Sequence, residues 1–383
     1  MSVPNGNIAH QNWPEFAALR RVLVIRLGAI GDVLRTLPAI VAWQRASPGT
    51  RFTWLVEPAA ASLLRGHPAL AEVLVFERGL FAAAGRPRPR SWGEGLIALA
   101  RLRSRLRRAD FELVVDFHGI LKSAVFARMT EAPVRIGFGR GAGKEGSHRF
   151  YTHHFTPSRA DLNRVDRARE LVAALGVPLD PEIAYRLPVT AEHRRRGRIL
   201  SSGLRELNHL SGPKIVIHPG SSPATAYKRW HLNGYVGLVE ALVERLGARV
   251  LLTWGPGERE TVELIAGRVR VPLAVAGQTA SLLDLAAVFS VCDLYIGGDT
   301  GPMHLAAAVA TPVVAIFGPT HPEVNAPQGV PFRLVRRPRA CSPCRKRSCQ
   351  SRSCLEAIGW RQVFAAVSEL LAEPGVREQL ARG

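Results

Sequence analysis

Gly298-Asp299-Thr300-Gly301-Pro302-Met303-His304 puts a carboxylate, a hydroxyl, two glycines and an imidazole into one short stretch between apolar runs. Leu294-Tyr295-Ile296 before it reads as a buried strand. Leu305-Ala306-Ala307-Ala308 after it reads as a helix interior, and Pro312–Phe317 as the next strand. The stretch is therefore expected to turn from strand into helix within a parallel sheet. Thr300 can cap that helix, and Pro302 fits its first turn, where the missing N–H costs nothing. The first N–H groups and the positive end of the dipole make a seat for phosphate, which Gly301 lets approach closely. Asp299 and His304 then flank the seat. An ordinary strand–helix turn with a capping threonine is the plainer alternative, and a pattern this short leaves it open.

Other residues carry the same kind of chemistry. Leu27-Gly28-Ala29-Ile30-Gly31-Asp32 follows the strand Arg21–Arg26 and lacks the dinucleotide fingerprint G-x-G-x-x-G. Its turn exposes Asp32 at the carboxyl edge of the first strand, where open α/β sheets bind ligands, although Asp32 can equally serve the helix dipole. In the second half, Pro219-Gly220-Ser221-Ser222 offers hydroxyls and N–H groups after the strand Lys214–His218. Lys228, just before Arg229-Trp230, can neutralise a diphosphate. Glu258 can accept from ribose hydroxyls or merely cap a helix. Lys122 and Ser123, after Phe117-His118-Gly119, can hold an anion at a helix start or lie exposed.

Cys341-x2-Cys344-x4-Cys349-x4-Cys354 is a compact set of thiols. Four thiolates suit a structural Zn²⁺ or iron ion. Reduced thiols or disulfides are the alternative, because neighbouring Arg345, Lys346, Arg347 and Arg352 lower thiol pKa values without a metal. Cys292, inside an apolar run, reads as core.

The elements that must position these groups alternate strand and helix along the chain. Strands are expected at Arg51–Val56, Val73–Phe76, Phe111–Asp116 and Arg249–Trp254. Helices are expected at Val33–Arg45, Asp161–Leu175, Asn233–Leu246, Ala280–Ser290 and Trp360–Leu371. The glycine-rich segment Gly137–Gly146, carrying Arg140 and Lys144, reads as a mobile loop. The proline-rich Val177–Pro188 reads as a connection. The expected division is an N-terminal extension at 1–20, one α/β domain at 21–195, a second at 210–360 that includes the cysteines, and a C-terminal helical segment, 361–383, packing back across the domains.

A chain of 383 residues, 47% hydrophobic, is long enough for two such domains with real cores. Its net charge of +20 admits nucleic acid, an anionic membrane surface or anionic substrates as partners. Nucleic acid fits poorly: basic residues are spread over both halves, and the 7% of aromatics form no stacking pattern. No signal peptide is visible in residues 1–21 and no apolar run can span a bilayer, so a cytoplasmic protein touching a membrane only peripherally is expected.

In that order, "VLVIRLGAIGDVLRTLPAI", "DFHGILKSA" and "GDTGPMHLAAAVATPVVAIFGPT", together with Lys228-Arg229-Trp230, resemble glycosyltransferase family 9 over roughly residues 21–370. Its best-known members are the ADP-heptose:lipopolysaccharide heptosyltransferases. The resemblance implies the GT-B type of α/β fold, two facing Rossmann-like domains with a cleft between them. It implies inverting transfer of heptose from ADP-heptose to a lipopolysaccharide core acceptor of the lipid A–Kdo type, with no catalytic metal. Asp32 would then be the general base. Ser221, Ser222, Lys228, Glu258, Asp299, Thr300, Gly301 and His304 would bind the donor. Lys122 and Arg140 are the first candidates for the acceptor, with Arg86, Arg88 and Arg90 behind them. Another nucleotide sugar, or a protein hydroxyl as acceptor, is the alternative within the family.

Overall fold

The computed structural model describes residues 15–76, 92–344, 346–349 and 351–382. Most of the N-terminal extension, and Arg86, Arg88 and Arg90, lie outside these residues. The chain divides into two compact units, Met1–Pro188 and Val189–Gly383. The division falls at the end of the proline-rich connection.

The first unit holds a six-stranded parallel sheet: β1 (Arg21–Ile25), β2 (Arg51–Val56), β3 (Glu72–Val75), β4 (Leu113–Asp116), β5 (Val134–Phe138) and β6 (His153–Phe155), in the order β3-β2-β1-β4-β5-β6. Central β1 and β4 are buried on both faces, which is why RVLVI and LVVD read as continuous apolar runs rather than alternating ones. Leu23, Ile25, Val114, Phe126 and Leu106 meet in one core beneath the helices. The helix Ile30–Ala46 buries Val33, Leu34, Leu37, Ile40 and Val41 and packs on the helix Arg164–Ala174. That pairing brings residues about 130 positions downstream alongside the Asp32 turn.

The second unit repeats the plan. It contains β7 (Lys214–His218), β8 (Arg249–Leu252), β9 (Ala274–Val275), β10 (Leu294–Gly298), β11 (Val313–Phe317) and β12 (Phe332–Arg336), all parallel, in the order β12-β11-β10-β7-β8-β9. Counted within each unit, both sheets have the doubly wound order 3-2-1-4-5-6. The strand order reverses between β1 and β4 in one sheet and between β7 and β10 in the other. Such switch points open crevices at the carboxyl ends of the strands.

The helix Trp360–Leu371 turns Val363, Val367 and Leu370 inward against the helix Leu232–Leu246 and β12 of its own unit. Cys292 is buried, as expected. Gly137–Gly146 is not one loose loop. β5 runs to Phe138, and the rest is tied by Gly139 N–H to Phe155 O (2.9 Å) and Lys144 N–H to Gly119 O (2.8 Å). Among the described residues no helix is long and apolar enough to cross a membrane.

Candidate active site: two switch points, one basic clamp and one phosphate seat

At the β1/β4 switch point, the chain leaves β1 through Arg26 and Leu27 and enters the helix Ile30–Ala46, with Asp32 in its first turn. The turn is braced by its neighbours. Leu27 N–H donates to His118 Nδ1 (3.3 Å), and Arg26 Nη1 donates to Phe117 O (2.5 Å). Beneath them Asp116 is fully buried. Its carboxylate accepts from the amides of His118 and Gly119 and from the Tyr151 hydroxyl at 2.7 Å. Burial pushes the Asp116 carboxyl up. Gly119 has φ +70°, and a Cβ there would lie 2.6 Å from the Phe138 ring, so only glycine fits this loop.

Asp32 is clamped. Arg26 Nη2 lies 2.7 Å from one carboxylate oxygen, and Arg35, one helical turn on, donates to the other. Both arginines are more than nine-tenths buried. Burial alone would raise the Asp32 carboxyl, but Arg26, Arg35 and Arg164 outweigh it and hold the group far below the usual carboxylate range. The sequence singled out Asp32 and missed the clamp. Arg35 at i+3 was the visible signal.

Of the expected acceptor residues, Lys122 stands in the first turn of the helix Leu121–Met129, its Nζ 2.7 Å from Glu57 Oε1 and 5.6 Å from the Phe76 ring centroid. Glu57, buried beside the Gly28 turn, takes the charge that Lys122 was expected to offer. Arg140 is exposed in the loop after β5.

At the β7/β10 switch point, β10 ends in Gly297-Gly298 and the chain enters the helix Gly301–Ala308 with Pro302 in its first turn. Thr300 is the N-cap residue, but its side chain makes no capping bond; the hydroxyl turns back to Gly298 O at 3.4 Å. The Thr300 hydroxyl therefore does not cap the amides of that first turn, which suits a helix end that attracts phosphate. Lys228 reaches the same turn, donating to Asp299 Oδ2 (2.9 Å) and to Asp299 O (3.0 Å). Asp299 and His304 are buried there.

On the β7 side, Ser221 is buried and held by Arg229, whose Nε donates to Ser221 Oγ at 3.1 Å. Ser222 is exposed and pairs with Thr225. Glu258 accepts from Gly255 N–H (2.8 Å) and lies 3.1 Å from His218 Nε2, while His218 Nδ1 meets Thr253 Oγ1 at 3.0 Å. Burial raises the Glu258 carboxyl, and the His218 hydrogen bond, aided by Gly255 N–H and Arg229, more than offsets it and lowers the group. A Cβ on Gly220 would fall 2.2 Å from Glu258, so this glycine lets the carboxylate lie against the turn. His218 was missed by sequence reasoning because an imidazole at the end of an apolar strand looks like core.

The cysteines do not form the expected metal set. Among the described residues no three His, Cys, Asp or Glu side chains stand together so as to hold a metal ion. Cys341 is exposed, Cys344 and Cys349 are half-buried, and Cys354 is buried in the second unit's core. All are free thiols. The Arg352 N–H, with the Ser351 hydroxyl, lowers the Cys349 thiol, whereas burial and the neighbouring thiols raise Cys354. Burial pushes Cys292 up to about 12. Under limiting iodoacetamide at neutral pH, Cys349 is expected to be labelled well before Cys354 and Cys292, as read by peptide mass mapping. Equal labelling of Cys349 and Cys354 would contradict this arrangement.

Comparison with known proteins identifies a family. The model of glycosyltransferase family 9 (heptosyltransferase) matches residues 99–354. Lipopolysaccharide heptosyltransferase 1 of Pseudomonas aeruginosa is 32% identical over 340 residues, covering 86% of this chain and 87% of that protein. The Escherichia coli K12 protein of the same name is 29% identical, covering 83% and 94%. Among solved structures, a family 9 glycosyltransferase from Veillonella parvula superposes with a TM-score of 0.74 at 20% identity, over 94% of this chain and 99% of that one. E. coli heptosyltransferase WaaC with ADP superposes with a TM-score of 0.69 at 24% identity, over 91% and 99%. The match to the family model and the identity over most of the chain lead to one conclusion: this protein belongs to glycosyltransferase family 9.

Proposed function

We propose that this protein is an inverting glycosyltransferase that moves heptose from ADP-heptose to a lipopolysaccharide core acceptor of the lipid A–Kdo type. The observation that carries this reading is the helix start at Gly301, where the Thr300 side chain makes no capping bond, with Lys228 at the same turn. Relatives named lipopolysaccharide heptosyltransferase, and a solved neighbour described with ADP-2-deoxy-2-fluoro heptose, support the donor and the acceptor.

Inverting transfer is a single displacement at the anomeric carbon. The acceptor hydroxyl attacks as the bond to the diphosphate breaks, and one base takes the hydroxyl proton. The helix amides and Lys228 stabilise charge on the departing ADP, which is the part a metal ion plays in other transferases. Lys228 exchanges the Asp299 carboxylate for the diphosphate, leaving Asp299 to accept from hydroxyls of the donor sugar. Glu258 faces the ribose and His304 the phosphates. Asp32 is the base. The enzyme acts in the cytoplasm at the inner membrane surface, where its lipid acceptor lies.

Thermal unfolding with a panel of nucleotides tests the donor. ADP and ADP-heptose are expected to raise Tm, a hundredfold excess over Kd giving about 2.7 kcal/mol. Stabilisation by UDP- or GDP-sugars with none by ADP compounds would overturn the heptosyl reading.

A further inference from the structure

Among the described residues seven large apolar side chains stand exposed, and three of them lie at one edge of the first unit: Leu96 (64% exposed), Ile97 (52%) and Leu121 (42%). Leu96 and Ile97 belong to the helix Trp92–Arg108, which packs on the helix Leu121–Met129. The first helix leads into β4 and the second leaves it, so in a parallel sheet both begin at the carboxyl edge of the strands. Asp32 follows the carboxyl end of β1, at that same edge.

Leu99, Leu102 and Leu106 turn the inner side of the helix Trp92–Arg108 onto the core. The side turned away carries two lines at helical spacing, Leu96–Arg103–Arg107 and Ile97–Arg101–Arg108, every member exposed. Each line starts in an aliphatic side chain at the Asp32 edge and continues in guanidinium groups. Glu131 pairs with Arg107 (3.0 Å) and Arg103 (3.5 Å), and Glu72 pairs with Arg105. Those two carboxylates do not balance the five arginines from Arg101 to Arg108, so the face stays positive. A groove of about 640 Å³ opens between Arg103, Arg107 and Arg108 and residues 130–133, a volume that admits a phosphate-bearing headgroup. Exposed arginines alone describe a solvated face. Aliphatic side chains exposed in line with them are what an anionic bilayer favours: the aliphatic groups enter the headgroup boundary and the guanidinium groups meet the phosphates.

We propose that the outer face of the helix Trp92–Arg108, with Leu121 beside it, docks on an anionic lipid bilayer and turns the Asp32 edge of the first unit toward the membrane. The inference rests on the lipid-acceptor reading above. The net charge of +20 supplies attraction at a distance, and this face supplies the orientation.

The test is co-sedimentation of the full-length protein, without substrate, with vesicles of phosphatidylethanolamine and phosphatidylglycerol or of phosphatidylcholine alone. Wild type is expected to bind the anionic vesicles and leave the neutral ones. Arg101→Gln/Arg108→Gln should lower the partition coefficient by about 10–30-fold, since each arginine near an anionic surface contributes roughly a factor of five. Leu96→Ser/Ile97→Ser should lower it by about tenfold and abolish the binding that survives about 0.5 M salt, where charge is screened. Arg268→Gln/Arg270→Gln removes the same charge from exposed positions of the second unit. That pair should change the coefficient by no more than about twofold. All these side chains are exposed, so unfolding temperatures should match wild type. Turnover of a deacylated, water-soluble acceptor should also be unchanged, while turnover of acceptor embedded in anionic vesicles falls with the partition coefficient.

Equal losses from the Arg101/Arg108 and Arg268/Arg270 pairs would reduce the effect to diffuse charge and overturn the proposal. So would wild-type binding that is absent or indifferent to lipid charge. Self-association lost in Leu96→Ser/Ile97→Ser, with no vesicle binding, would give the face to a second copy of the chain instead. A protein that binds vesicles as described but neither binds ADP nor transfers sugar would support the docking face and strike at the transferase reading alone.

Discussion

Asp32→Asn is expected to lower kcat by about 10²–10⁴-fold, the usual contribution of a positioned base, while the ADP Kd stays unchanged. The amide keeps the shape of the carboxylate but cannot take a proton. The same change leaves Arg26 and Arg35 facing a neutral group, so a fall in Tm is also expected. Asp32→Glu separates the two effects. It restores the charge to the clamp but moves the carboxylate by a methylene, so Tm should recover while kcat stays well below wild type.

The pH dependence of this group follows from its direction of shift. The folded-state pKa of Asp32 lies far below its ordinary value near 3.8. Its stabilising contribution is therefore complete above that value and is lost only as pH falls through the folded one. The rate should show no acid limb from Asp32 between about pH 5 and 8. Activity of Asp32→Asn within a few-fold of wild type would remove Asp32 from the role of base.

The second large effect is expected at Lys228. Lys228→Ala should weaken ADP binding by about 10–100-fold, measured by titration calorimetry, through loss of a charge-assisted contact to diphosphate. It also strips the buried Asp299 of a partner 2.9 Å away, so the folded protein loses stability in the absence of nucleotide. Asp299→Asn alone should do less harm to ADP binding, because Lys228 is no longer held by a competing carboxylate. If Lys228 binds diphosphate, the double variant Lys228→Ala/Asp299→Asn should bind ADP as poorly as Lys228→Ala. Wild-type ADP affinity in Lys228→Ala would displace the phosphate seat from the Gly301 helix start.

Much of this was legible along the chain because it depends on local rules. Val24, Val115, Ile217 and Ile296 belong to continuous apolar runs, and such runs identify strands buried on both faces. The expected strand Arg51–Val56 and helix Trp360–Leu371 have the observed bounds. Asp32 and Gly301 stood out because both lie in glycine-bearing turns at strand ends, where open α/β sheets bind ligands. β5 and β12 were harder. VRIGF and FRLVR carry arginine and are only partly buried, so their hydrophobic signal is diluted.

The sequence alone determined the parallel α/β class and the turns that carry Asp32 and Asp299. These follow from periodicity and turn chemistry, which act over a few residues. Only the tertiary structure decided the partners of each charge. It gave Lys122 to Glu57 and Lys228 to Asp299, and turned the Thr300 hydroxyl away from its helix. It also brought Arg164 close enough to act on the Asp32 carboxylate, about 130 residues earlier. Electrostatic pairing depends on distance in space rather than in sequence, and helix packing sets that distance.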